Sequence, residues 1–236
     1  MNWEGVSIVA RKELKEIVSN KGNYISILLL PIFFSFIYIL RLFSMGEGQA
    51  LVLDGILLNV SLLIGAFAGF TLCGAVFYRE KQSGVIETLL CTPLNIRTIW
   101  MGKVMGVTIP AYFLVLVAVG IISIFALISG MVIQPVQPIT IVNLALVAPL
   151  FTAAAIGLMG YVQLALGMRE NRLINFGVFF VLILGLSISS GLVMEDLSLL
   201  GPAVTGVFIA SAGLLALASY LSGRVKNEKI ITTIPD

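Results

Sequence analysis

The nearest approach to a nucleophile cluster in this chain is three serines, Ser187, Ser189 and Ser190, and the chain has two cysteines, Cys73 and Cys91. A serine acts as a nucleophile beside a base such as histidine, and the chain contains no histidine and no G-x-S-x-G motif. The cysteines have neither the number nor the spacing of a disulfide framework or a zinc site. We therefore interpret the serines as packing or cavity-lining hydroxyls, and we predict no enzyme, metal site or cofactor on this chain.

One polar segment, residues 79–95, has the pattern of a short amphipathic helix that could bind a partner. A helix there would carry acids on one side, because Glu80 and Glu87, seven residues apart, share a face if the helix runs through Gly84. Pro93 would end that helix, and Asn95 can cap the next one. Its apolar stripe consists of Val85, Ile86, Leu89 and Leu90. Docking of a partner protein and simple anchoring at a membrane surface both remain open for this segment.

Long uncharged stretches on either side of this segment predict membrane-spanning helices, which would hold it in place. Hydrophobic residues make up 59% of the 236 residues and charged ones 11%, against roughly 45–50% and 25% in soluble domains. Each stretch can cross about 30 Å of hydrocarbon as a helix, and residues 104–168 must fold back near Gly130. We predict an all-α, polytopic fold with one transmembrane domain over residues 1–236. Its six spans are 24–43, 54–78, 103–129, 139–166, 172–193 and 199–221.

The basic residues predict the orientation of these spans. Of the 14 lysines and arginines, all but Arg41 fall on the side that holds both chain ends, and positively charged loops stay cytoplasmic. The protein is therefore expected to be a multi-pass protein of a prokaryotic plasma membrane, with a cytoplasmic tail at 222–236. Aromatic residues at the inner span ends are expected in the headgroup layer. They are Tyr24, Tyr78, Trp100 and Tyr220.

The N-terminal residues 1–23 predict an amphipathic helix that lies in the inner headgroup layer. Apolar residues recur there at helical spacing, and charged residues such as Arg11 and Lys15 take the other face. Surface anchoring and partner contact are equally open interpretations. In sequence, the helix is followed by the first span near Gly22.

The interior of the predicted spans lacks Asp, Glu, Lys, Arg and His, apart from Asp54 at the outer end of the second span. Proton-driven carriers keep such groups although each costs about 2.5–3.5 kcal/mol at mid-bilayer, so a proton-driven carrier is disfavoured. A G-x-x-x-x-G-K-[ST] phosphate loop is also missing. Uphill transport would therefore take its energy from a partner.

The region from Tyr78 to Val104 resembles the signature of ABC-2 type transporter permeases. The likeness is carried by Arg79-Glu80-Lys81, Ser83-Gly84, Glu87-Thr88-Leu89-Leu90, Thr92-Pro93 and Gly102-Lys103. The N-terminal Arg11-Lys12-Glu13-Leu14 leading to Pro31 is similar to the family's elbow helix and first span. The connection between the fifth and sixth spans departs from the pattern, because it lacks the large extracellular region that some members carry.

The resemblance implies the membrane half of an ATP-binding cassette exporter. Two such subunits, identical rather than different, would form a dimer in the lipid bilayer, and a separate ATPase subunit would bind ATP and Mg. No nucleic-acid partner is expected. Residues 79–97 would be the coupling loop that docks on the ATPase. The docking residues are Glu80, Gly84, Val85, Glu87, Leu89, Leu90 and Pro93.

The resemblance also places a substrate path near the second and fifth spans. Its aromatic and hydroxyl side chains suit an apolar or amphipathic molecule that moves out of the cytoplasm. The residues are Asn59, Phe67, Phe70, Thr71, Phe176, Phe180, Ser187 and Ser190. Two alternatives stay open: a channel or facilitator that needs no ATP, and a membrane assembly subunit that transports nothing.

Overall fold

The computed structural model describes residues 3–19, 21–44, 49–85, 88, 92, 94–130, 136–166, 168–195 and 197–224. Within these residues 93% of the chain is helical and no strand occurs, which confirms the predicted all-α class. Most of the predicted cytoplasmic tail lies outside the described residues.

In chain order, the helices with defined bounds among the described residues are α1 Trp3–Ser19, α2 Lys21–Ser44, α3 Gln49–Cys73, α4 Arg79–Gln82, α5 Ile96–Ile128, α6 Pro138–Val142, α7 Ala148–Ala165, α8 Met168–Glu195 and α9 Leu200–Ser222. π-helical turns at Gly74–Tyr78 and Asn143–Val147 join α3 to α4 and α6 to α7, so each pair forms one continuous rod. A 3-10 turn, Leu197–Leu199, precedes α9.

By length and composition, four helical segments can cross a membrane. They are Leu53–Gln82, Ile96–Ile128, Pro138–Ala165 and Leu200–Ser222, which correspond to four of the six predicted spans. The described apolar parts of α2 and α8 are shorter, at Ile27–Leu42 and Leu173–Ser187. The described residues thus support a protein with several membrane-crossing helices.

The boundaries of α5 differ from the predicted span at one end. Asn95 adopts extended backbone angles, and its carbonyl accepts hydrogen bonds from the N–H groups of Thr98 and Ile99 at 2.8 and 3.1 Å. The helix therefore begins at Ile96, directly after the predicted cap Asn95, and the predicted span from residue 103 covers only its later part. At the other end, Gly130 takes a φ of +66°, which glycine adopts without steric cost, and the predicted turn is confirmed there.

The rod formed by α3 and α4 occupies the centre of the bundle, where α2, α5, α7 and α8 pack around it. Helix α9 lies at the periphery and contacts mainly α7. The amphipathic helix α1 packs along the first turns of α5. There, a Cβ atom on Gly102 would lie 2.6 Å from Val9 Cβ, and one on Gly106 would lie 2.8 Å from Ala10 O. The missing side chains let the two backbones approach closely.

Trp100 is fully buried, which corrects its predicted place in the headgroup layer. Its indole N–H donates a hydrogen bond to the Gly157 carbonyl at 3.2 Å, and its ring packs where a side chain on Gly157 would stand. Because α7 packs against this part of α5 at Gly157, Trp100 lies inside the helix bundle instead of at its edge. Tyr220, by contrast, is 55% exposed.

Candidate functional site

Four charged residues from three helices meet where α1, α4 and α5 converge; we call them the ion-pair cluster: Lys12, Glu13, Glu80 and Lys103. The Lys103 ammonium lies 2.8 Å from Glu13 Oε1 and also binds Glu80 Oε2. The Lys12 ammonium lies 2.8 Å from Glu80 Oε1 and 3.3 Å from Glu13 Oε1. Lys103 is 0% exposed, Glu13 1% and Glu80 7%. The cluster therefore ties the start of the 79–95 segment to both α1 and α5.

The composition of the cluster explains how its charges can be buried. Two ammonium groups face two carboxylates, so the charges of the four groups balance and each group has a hydrogen-bonded partner. Burial of Lys12 by itself lowers its pKa, but the hydrogen bond and charge of Glu80, with the charge of Glu13, raise that pKa above its ordinary value. Lys12 thus stays charged at physiological pH.

The carboxylates of Glu13, Glu16 and Glu80 lie within 4.8 Å of one another, a spacing at which three acids can ligate a metal ion. Lys12 and Lys103 already contact oxygens of Glu13 and Glu80 and supply the positive charge that a metal ion would bring. We therefore interpret the group as an ion-pair network that holds helices together.

Lys81 joins α4 to the end of α7. Its side chain is fully buried, and its ammonium donates hydrogen bonds to the carbonyls of Leu166 at 2.6 Å, Gln163 at 3.3 Å and Leu164 at 3.4 Å. The last carbonyls of a helix have no partner within the helix and carry partial negative charge. Lys81 therefore caps the C-terminus of α7. Together with Glu80, it connects the start of the 79–95 segment to three other helices, α1, α5 and α7.

Replacing Lys81 with methionine is expected to lower the free energy of unfolding by about 1–2 kcal/mol. The apolar chain keeps most of the packing, but the carbonyls of Gln163 and Leu164 in α7 and of Leu166 just after it lose their charged donor. Thermal unfolding of the purified protein in detergent measures the effect. Gln82→Met, one residue further along and exposed, is the matched control and should melt like the wild type.

Glu80 is not the exposed acid that the sequence predicts, and the structure corrects its position. The reason is that α4 ends at Gln82 and Gly84 takes a φ of +70°, so no single helix runs through Gly84 to place Glu80 and Glu87 on one face. The exposed residues of the described part of this segment are instead Arg79, Gln82, Ser83, Val85, Thr88 and Asn95; Val85 is 40% exposed. The other predicted docking residues, Glu87, Leu89, Leu90 and Pro93, lie outside the described residues.

The predicted substrate-path aromatics fall into two groups. Phe67 and Phe70 pack on the ring of Phe179, with ring centroids 4.9 and 4.6 Å away. Phe176 and Phe180 are 61% and 53% exposed on the surface of α8, as expected of side chains that face lipid or a second subunit. The structure thus packs the aromatics of the second span against α8 but does not gather all four.

The described polar residues of the predicted path form hydrogen bonds within their own helix or with a neighbouring helix. The hydroxyl groups of Thr71 and Ser187 donate hydrogen bonds to carbonyls of their own helices, Phe67 O at 3.0 Å and Ile183 O at 2.9 Å. The Asn59 amide oxygen accepts a hydrogen bond from the Tyr38 hydroxyl on α2. The side chain of Ser190 lies outside the described part.

The sequence matches no protein-family model, and no curated protein is significantly similar to it. The resemblance of residues 78–104 to ABC-2 type permeases, together with the partners that it implies, therefore stays a prediction. The contacts of the ion-pair cluster and of Lys81 do not depend on that resemblance.

Sequence reasoning did not identify three residues that hold the start of the 79–95 segment against other helices: Glu13, Lys81 and Lys103. Lys81 and Lys103 look like ordinary basic flanks of apolar segments, and Glu13 lies in a charged stretch of α1. One signal was present: Glu13 interrupts the apolar face of α1, four residues after Val9 and four before Ile17, and this face packs on α5.

Proposed function

We propose that this chain is the membrane subunit of an ATP-driven exporter of the ABC-2 type. In this proposal two copies form a dimer in the plasma membrane, ATP and Mg bind to a separate ATPase subunit, and an apolar or amphipathic substrate leaves the cytoplasm. The observation that carries the proposal is the ion-pair cluster, because it joins the start of the candidate docking loop to α1 and α5 through buried, charge-assisted contacts.

Six spans are part of this proposal, with α2 and α8 added to the four helices described above. Helix α2 has 24 residues and α8 has 28, which at about 1.5 Å per residue suffices for a bilayer core of about 30 Å. Both present apolar side chains on their surfaces, as lipid-facing helices do. On α2 these include Leu29, Phe33 and Phe36, and on α8 Leu173, Phe176 and Val181. With six crossings both chain ends lie on the cytoplasmic side.

The contacts around α4 supply a mechanical link for such a machine. A pull on the loop 79–97 moves Glu80, which is bonded to Lys103 at the base of α5 and to Lys12 on α1. Lys81 passes the same displacement to the end of α7. Buried charged contacts resist separation, because a buried charge that loses its partner is strongly disfavoured. The helices would therefore move together with the loop when the ATPase subunits close.

Transport in this proposal follows alternating access. Closure of the ATPase subunits shifts the dimer between inward-open and outward-open forms, and the substrate binds better to the form that faces the cytoplasm. The exposed rings of Phe176 and Phe180 on α8 offer an apolar surface for the dimer interface, and Phe67 and Phe70 contact the same helix through Phe179.

Charge reversal in the loop tests the docking step. Glu87→Arg is expected to abolish capture of the ATPase subunit encoded with this chain and the ATP hydrolysis of the complex, because an acid that faces basic groups becomes a like charge. Glu4→Arg, the same reversal at an exposed position of α1, is the control and should retain both activities. Affinity purification of the co-expressed subunits, followed by an ATPase assay, measures the outcome.

Two results would contradict the proposal. Undiminished capture and hydrolysis with Glu87→Arg would remove the docking role of the loop. Transport or conductance by the purified chain in liposomes without any ATPase would favour the channel or facilitator instead.

A further inference from the structure

We propose that a cavity between α1, α2 and the rod of α3 and α4 binds one phospholipid with an amine headgroup, of the phosphatidylethanolamine type. The cavity has a volume of about 330 Å³ and is lined by residues of all these helices. The inference relies on the membrane-crossing helices of the chain and on the lining of the cavity, and it is independent of export.

The inner wall of the cavity is apolar. Ile17 of α1, Ile27 of α2, Leu72 of α3 and Val76 of the π-helical turn contribute aliphatic side chains. An apolar wall of this kind gains free energy when an acyl chain covers it, because its aliphatic surface is then removed from water. The wall therefore suits the first part of a lipid tail.

Two groups of opposite charge also line the cavity. Arg79 is exposed, and the Glu16 side chain is 63% exposed. A guanidinium binds a phosphate through two parallel hydrogen bonds, and a carboxylate accepts hydrogen bonds from a primary ammonium. The Lys12 ammonium lies 3.7 Å from Glu16 Oε2, which leaves the other oxygen to accept a ligand donor. A zwitterionic headgroup matches this pair.

The remaining charged groups explain why a zwitterion fits better than an anion. Glu13 and Glu80 also line the cavity, but Lys103 and Lys12 neutralise both carboxylates. Arg79 and Glu16 are then the charges left to face a ligand, and their sum is zero. An anionic headgroup would gain the contact to Arg79 and suffer repulsion from Glu16.

Native mass spectrometry of the delipidated protein in detergent, titrated with defined lipids, tests the site. One molecule of phosphatidylethanolamine is expected to bind, with phosphatidylcholine and phosphatidylglycerol each about tenfold weaker, since the first cannot donate hydrogen bonds to Glu16 and the second lacks the ammonium. Free phosphoethanolamine, which has the headgroup without tails, should bind weakly because the apolar wall stays empty.

Three variants decide which groups are responsible. Arg79→Gln is expected to weaken phosphatidylethanolamine binding about tenfold, and Ala75→Leu, at another residue of the lining, is expected to abolish it by filling the cavity. Arg11→Gln removes an exposed positive charge from α1 outside the lining and should bind like the wild type.

Equal affinity of Arg79→Gln and Arg11→Gln for phosphatidylethanolamine would overturn the site. Equal binding of phosphatidylglycerol and phosphatidylethanolamine by the wild type would overturn the role of Glu16. The lipid-free melting temperature shows whether Ala75→Leu is folded; if it is not, Arg79→Gln, a change at an exposed side chain, decides the question alone.

Discussion

Lys103→Met is expected to lower the free energy of unfolding by about 3–5 kcal/mol, the largest effect of any single substitution considered for this protein. Lys103 is fully buried, and its ammonium contacts Glu13 and Glu80, which are 1% and 7% exposed. Without it, two buried carboxylates face only Lys12. Thermal unfolding in detergent should show a drop of roughly 10 °C.

Restoring the charge balance should recover much of this loss. In the double variant Lys103→Met with Glu13→Gln, one charge of each sign is removed and the pair of Lys12 and Glu80, 2.8 Å apart, remains. Lys15→Met, at an exposed lysine of α1, is the single-site control and should melt within about 0.5 kcal/mol of the wild type. If Lys103→Met and Lys15→Met melted alike, the cluster would contribute nothing to stability.

The helical fold could be predicted because its signals are local. Uncharged stretches long enough to cross a bilayer, together with Gly130 and the proline-rich turn after it, mark most helix ends within a few residues. The same reasoning placed the start of the third span at residue 103, seven residues inside α5, although Asn95 was predicted as a helix cap. Charge was taken as the end of the apolar helix, whereas Lys103 lies inside the bundle because Glu13 and Glu80 neutralise it.

The candidate site could be predicted only in part, because its contacts join residues far apart in the chain. The pattern of the 79–95 segment identified Glu80 as significant, and the resemblance to ABC-2 type permeases assigned its carboxylate to an external partner. Lys12 and Lys103, its partners, lie 68 and 23 residues away in sequence, and no periodicity connects them. A helix pattern shows which face is polar, but only the tertiary packing shows whether that face meets water or another charged helix.

Gly106→Leu is expected to have the second large effect. It tests the packing of α1 on α5 by a steric clash rather than by a change of charge. A Cβ atom at Gly106 would lie 2.8 Å from the Ala10 carbonyl oxygen and 2.8 Å from Glu13 Cβ. The contact with Ala10 is to backbone, so α1 itself must shift. We expect a loss of about 2–3 kcal/mol in the free energy of unfolding.

The matched control lies on the same helix. A Cβ atom at Gly120 meets nothing within 4 Å, so Gly120→Leu adds a side chain without a clash and should be neutral or stabilising by up to about 1 kcal/mol. The sign of the effect thus separates close helix contact from a general intolerance of larger residues on α5. Limited proteolysis of α1, which should become accessible in Gly106→Leu alone, shows whether the helix has moved away from α5.

Because Glu13 lies on α1, Gly106→Leu should also separate Glu13 from Lys103. The loss of stability in Gly106→Leu and that in Lys103→Met should therefore be less than additive in the double variant. Fully additive losses would mean that α1 keeps its ion pairs when its packing is disturbed.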